Sequence, residues 1–257
     1  MNIREKYRKF RVDFEEVCRK SKRNSSDINV LYAVKYLDKD GLREFLKILA
    51  EEKQRGIIYL GENRVQEGEK KIGVIEEYRN SGDCRHVKRG FALPRNDIEL
   101  QEIKNCYKDV LDIRYAMIGP LQKNKINKAL EIFDEIHSID SIDIAEGISK
   151  RLKKGITMPV MLEVNISKEE QKHGFRTEKI GDVISQIRLL DGLKLIGLMT
   201  MAPFTNDENI IRSLFRKHRD LADKYGLKTS MGMSNDWKIA VEEGSDMIRV
   251  GGAIFIE

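Results

Sequence analysis

The sequence predicts an α/β fold, a single (β/α)8 TIM-type barrel with an extra N-terminal helix. Short apolar runs of four to eight residues alternate with longer, charged, amphipathic stretches, the pattern of a parallel sheet covered by helices. Eight such runs occur in 257 residues, an ordinary length for a closed barrel. No GxGxxG follows the first run, which argues against the alternative of an open, doubly wound sheet.

The elements follow in order. A charged amphipathic helix is expected at about 4–20, ahead of the first strand. Strands are expected at 28–35 (INVLYAVK), 57–61 (IIYLG), 115–119 (YAMIG) and 135–139 (EIHSI). They continue at 159–166 (PVMLEVNI), 194–199 (KLIGLM), 229–233 (TSMGM) and 247–251 (MIRVG). Each run is too short for a helix and many are bounded by Gly, Pro, Asn or Asp. Helices are expected at 40–54, 141–154, 178–190 and 208–225, where apolar residues recur at three- and four-residue spacing, as Leu42, Phe45, Leu46 and Leu49 do. Residues 78–110 are too long for a plain connection between strands two and three and are read as an insertion within one domain spanning 1–257.

Bulk properties narrow the function. The 47 Lys and Arg are nearly balanced by 42 Asp and Glu, leaving a net charge of +5. The charges interleave without a basic, aromatic-studded block, so no nucleic-acid partner is expected. Cys18, Cys84 and Cys106 are far apart and odd in number, implying neither a disulfide framework nor a metal site. The first twenty residues are charged throughout, unlike a signal peptide, and no apolar stretch approaches the roughly 18 residues of a membrane span. A cytoplasmic protein without a membrane partner is expected.

Barrels of this kind bind ligands at the C-terminal ends of their strands. Lys35 ends the first strand after Leu31, Tyr32, Ala33 and Val34. Partial desolvation there would favour the neutral amine that Schiff-base chemistry needs, against the alternative of a plain solvated lysine. After strand two, Glu62 and Asn63 are expected at the barrel mouth, and after strand three Gln122, Asn124 and Lys125 can face a ligand. Asp140 or Ser141 is expected to cap the helix after strand four. Strand seven runs into Ser234, and strand eight into Gly251 and Gly252. Ser234 with the backbone NH groups of a helix start after strand seven, and side-chain-free glycines after strand eight, together predict a phosphate site. Arg249 shares a strand face with Gly251 and needs an anion or acceptor, with a salt bridge to Glu163 as the structural alternative.

The segments AVK (33–35), GENRVQE (61–67), IGPLQKNK (118–125), HSIDS (137–141), EVNISKEEQKHGF (163–175), GLMTM (197–201) and MGMSNDWKIAVEEGSDMIRVG (231–251) occur in that order over nearly the whole chain. Together they resemble the pyridoxal phosphate homeostasis proteins, relatives of the N-terminal barrel of alanine racemase. The resemblance implies pyridoxal 5′-phosphate held as an internal aldimine on Lys35. It implies that Ser234, Gly251 and Gly252 grip the phosphate, that Arg249 lies by the pyridine nitrogen, and that Asn63 and Met199 lie near the ring or the lysine. It further implies a monomer that holds the cofactor without turnover and serves pyridoxal-phosphate-dependent apo-enzymes. The chain departs from the family pattern at Val34, where Ser or Thr is usual, at Pro120, where His is usual, and at Gly252, where Thr is common.

The alternative is an amino-acid racemase using the same cofactor. The two-base route needs a second acid/base opposite the lysine, a tyrosine from a separate domain in alanine racemase. This chain ends just after strand eight, and the nearest tyrosines, Tyr36 and Tyr59, lie on the barrel itself. A cofactor-free Schiff-base aldolase would explain Lys35 but not the phosphate loops with Arg249.

Overall fold

The computed structural model describes residues 1–52, 56–79, 111–167 and 173–256. Eight parallel strands close on themselves: β1 (Asn29–Ala33), β2 (Ile58–Glu62), β3 (Ile113–Met117), β4 (Glu135–Ile139), β5 (Met158–Asn165), β7 (Leu193–Met199), β8 (Lys228–Ser230) and β9 (Met247–Val250). The neighbour order is β4-β3-β2-β1-β9-β8-β7-β5, and β4 pairs with β5 to complete the ring. A two-residue strand, β6 (Phe175–Arg176), pairs with β5 outside that ring; the sequence reading has no counterpart for it.

Strand alternation divides the core in two. Leu31, Ala116, Met161, Met199 and Met247 form the barrel interior. Val30 and Tyr32, whose side chains face the other way, join a larger layer between strands and helices. Strands buried on both faces are what a parallel sheet under helices requires.

Helix α1 (Ile3–Lys20) starts at a capping box: the Asn2 side chain accepts the Glu5 amide and the Glu5 carboxylate accepts the Asn2 amide. Its buried residues Tyr7, Phe10, Phe14 and Cys18 fall at three- and four-residue steps. Phe10 meets Trp237 edge-on at 5.3 Å, and Tyr7 meets Phe45 of α2 (Lys39–Glu51) at 5.9 Å. Burying each such ring is worth about 1.5–3 kcal/mol, so α1 is bound to the barrel wall.

Residues 80–110 of the expected insertion lie outside the described residues, and 78–79 close helix α3 (Val65–Arg79). No helix among the described residues is long and apolar enough to cross a membrane.

Candidate functional site

The expectation for Lys35 needs correction. Strand pairing ends at Ala33, opposite Gly61, and the chain tightens into a 3₁₀ turn over Val34–Tyr36, closed by the Leu37 amide donating to the Val34 carbonyl at 3.0 Å. That turn directs Val34 into the core and leaves Lys35 exposed rather than desolvated. The ammonium lies 4.9 Å from the centroid of the Tyr36 ring, within cation–π range.

The Lys35 turn packs on the loop after β9. A Cβ at Gly251 would stand 2.8 Å from the Ala33 carbonyl oxygen and 3.0 Å from the Tyr36 ring, so the approach requires glycine. Across the same loop, the Ser234 hydroxyl accepts the amides of Gly251 at 3.3 Å and Ala253 at 3.2 Å. At Gly252 a Cβ would meet only ordinary contacts, 3.4 Å from Ile256 and 3.5 Å from the Ser234 hydroxyl. A lysine-bearing turn, a hydroxyl and the backbone of two glycines therefore lie together at one end of the barrel.

Arg249 is buried and makes no ion pair to Glu163, contrary to the structural alternative. Its guanidinium donates to the Ser230 carbonyl (2.9 Å), the Ser230 hydroxyl (2.8 Å) and the Thr200 carbonyl (2.9 Å). Burial pushes its pKa down to about 10, with Asp236 and Glu163 opposing the fall, so the group stays charged at neutral pH. Burial raises the carboxyl pKa values of Glu163 and Asp236, and Asp236 accepts the Met233 amide, fixing the loop that presents Ser234.

Asn63 is half-buried just past β2 and lines an open cavity of about 940 Å³ together with Pro120, Gln122, Lys125, Asp140 and His173. Asn124 is exposed and does not line it. Met199 ends β7 and belongs to the barrel-interior cluster. Ser141 occupies the cap position of helix Ile142–Ser149 without a side-chain cap bond, and Asp140 faces His173 at 3.7 Å instead, so neither fulfils the capping expectation. Glu62 does not open onto the barrel mouth: it is buried and ion-paired with Lys71 of α3. Thr200, Ser230 and Lys71 were not legible as site residues. Lys71 alone carried a signal, as a lysine in step with the buried positions Val65, Gly68 and Val74. Among the described residues no cluster of three or more His, Cys, Asp or Glu could hold a metal ion.

Barrel and site together define a class. Residues 18–257 match the family model described as alanine racemase, N-terminal domain. A pyridoxal phosphate homeostasis protein of Aquifex aeolicus is 29% identical over 265 residues, covering 100% of this chain and 99% of the relative. One from Helicobacter pylori is 35% identical over 211 residues, covering 72% of this chain and 95% of the relative. The structure of PipY from Synechococcus elongatus with PLP bound superposes with a TM-score of 0.69 at 25% identity, covering 99% of this chain and 100% of that one. The chain belongs to the pyridoxal phosphate homeostasis protein family, within the alanine racemase N-terminal-domain class.

The residues present fit the cofactor that this family implies. A phosphate would find the Ser234 hydroxyl beside the open backbone of Gly252, an aldehyde an exposed lysine on the adjoining turn, and an aromatic nitrogen a buried, fixed guanidinium.

Proposed function

We propose that this protein binds pyridoxal 5′-phosphate through Lys35 and holds it for the cell's cofactor supply without turning over a substrate. The observation that carries the reading is the close packing of the Lys35 turn on Gly251, whose amide is bonded to Ser234. It sets a lysine side chain beside a glycine loop whose backbone would suit an anion. Bound there, the cofactor would supply an aldehyde, the group a lysine amine can capture with loss of water, and Lys35 would be the residue that holds it.

Ser234 and the backbone of Gly251 and Gly252 would hold the phosphate, with the Gly251 amide shared with the Ser234 hydroxyl, and Arg249 would face the ring nitrogen. Three of its N–H bonds are already committed to Ser230 and Thr200, so it offers a fixed positive charge that disfavours ring protonation and weakens the ring as an electron sink. Asn63 and Met199 border the ring and lysine. The end-to-end likeness to a protein named for pyridoxal phosphate homeostasis supports holding over racemisation. The holder acts in the cytoplasm as a monomer, and pyridoxal-phosphate-dependent apo-enzymes are its recipients.

Titrating the purified protein with pyridoxal phosphate tests this. A visible absorption band should develop with the parent and be lost in Lys35→Ala, and a chiral assay with alanine should show no racemisation above free cofactor. Turnover of around one per second that vanished in Lys35→Ala would replace holding by racemisation.

A further inference from the structure

Glu62 and Lys71 form a buried ion pair, 1% and 2% exposed, at 2.7 Å. The Lys71 ammonium also donates to the Val34 carbonyl at 2.8 Å. That carbonyl already accepts the Leu37 amide, the bond that closes the turn carrying Lys35. The second carboxylate oxygen of Glu62 accepts the Asn63 amide at 2.7 Å. One pair therefore ties α3 and the end of β2 to the lysine-bearing turn.

Stability does not account for such a pair. Burying two charges costs several kcal/mol per ion, and well-packed apolar replacements are often neutral or stabilising. What an apolar pair lacks is a donor for the Val34 carbonyl. Lys35 itself is exposed and makes no buried contact that would aim it, so its reach depends on the backbone of its turn.

We infer that Lys71, charge-balanced by Glu62, is a positioning residue that sets the Lys35 turn for attack on the cofactor aldehyde. The inference rests on the pyridoxal phosphate reading above.

The test compares two ligands on the full chain: pyridoxal 5′-phosphate, and 4′-deoxypyridoxine 5′-phosphate, which has the ring and phosphate but no aldehyde. In the double variant Glu62→Gln/Lys71→Met no lone charge is buried, Gln keeps an acceptor for the Asn63 amide, and the Val34 tether is gone. Misplacement of a reacting group by about 1 Å can cost about 10²-fold, so we expect the rate of borohydride-trappable attachment and the affinity for pyridoxal phosphate each to fall roughly tenfold or more. Affinity for the deoxy analogue should stay at the parent value. Equal losses for both ligands, or no loss for either, would overturn the inference. If the double variant does not fold, the same comparison is read on Lys71→Arg, which keeps the charge and alters the reach: selective loss of aldehyde capture supports positioning, and parent behaviour or parallel loss overturns it. A parent protein that captures no pyridoxal phosphate would instead overturn the cofactor reading itself.

Discussion

The Arg249 guanidinium is anchored to Ser230 through two hydrogen bonds, one to the carbonyl at 2.9 Å and one to the hydroxyl at 2.8 Å. The two residues lie on neighbouring strands, and a third bond to the Thr200 carbonyl fixes the plane of the group. Desolvation works against this buried charge and lowers its pKa. Charge-assisted bonds at about 1.5–3 kcal/mol each oppose that cost.

Removing the buried charge should therefore destabilise the protein. Arg249→Met takes a donor from the Ser230 hydroxyl and the Thr200 carbonyl, at about 1–3 kcal/mol for each that water cannot reach, while the Ser230 carbonyl keeps the Thr200 amide at 3.1 Å. Thermal unfolding without ligand should show a Tm several degrees below the parent. A Tm equal to or above the parent would mean that the charge is only tolerated.

Ser234→Ala removes the acceptor shared by the Gly251 and Ala253 amides. If that hydroxyl also binds phosphate, its loss should cost about 1.5–3 kcal/mol, roughly ten- to hundredfold in Kd for pyridoxal phosphate. An unchanged Kd would place the phosphate elsewhere.

The two adjacent glycines should respond in opposite ways. Gly251→Ala drives a Cβ to 2.8 Å from the Ala33 carbonyl, and relieving such overpacking costs about 1–3 kcal/mol. The Lys35 turn must shift, so both Tm and cofactor affinity should fall. Gly252→Thr meets no such wall and adds a hydroxyl beside Ser234. It should fold normally and bind pyridoxal phosphate a few-fold more tightly, and weaker binding by isothermal titration would contradict the assigned phosphate loop.

Much of this architecture was legible in the sequence because its cause is local. The β4 run coincides with 135–139, since all five residues are buried and turn residues flank them. At β3 the expected strand starts two residues late: exposed Arg114 interrupts the apolar run while Ile113 and Tyr115 are buried in the layer between strands and helices. At β8 the apolar Met231-Gly232-Met233 reads as strand, yet the strand ends at Ser230. The closeness of the Ser234 and Gly251 loops was legible from their places after the last two strands, since parallel neighbours end at the same rim. The exposure of Lys35 and the Glu62–Lys71 tether were not, because one depends on a single 3₁₀ turn and the other on which face α3 turns inward.

His218 should make stability depend on acid. It is buried in helix Glu208–Lys224, donates from Nε2 to the Leu198 carbonyl at 3.2 Å, and has its pKa pushed down to about 4 by desolvation. The unfolded chain binds this proton near pH 6.5 and the folded one near 4, so the stabilisation is complete above about 6.5 and is lost as pH falls toward 4. The loss amounts to about 3 kcal/mol. His218→Gln keeps a donor without the titration. Urea unfolding across pH 4–7 should show a shallower acid decline in the variant than in the parent, and identical slopes would refute the assignment.

The central claim, that Lys35 is the capturing amine, is tested most directly by borohydride reduction of the protein loaded with pyridoxal phosphate, followed by peptide mapping. Reduction converts the C=N bond to a stable secondary amine on whichever lysine formed it. The account predicts one dominant pyridoxyl adduct, on Lys35. A dominant adduct on another lysine, such as Lys125 at the edge of the neighbouring cavity, would contradict it.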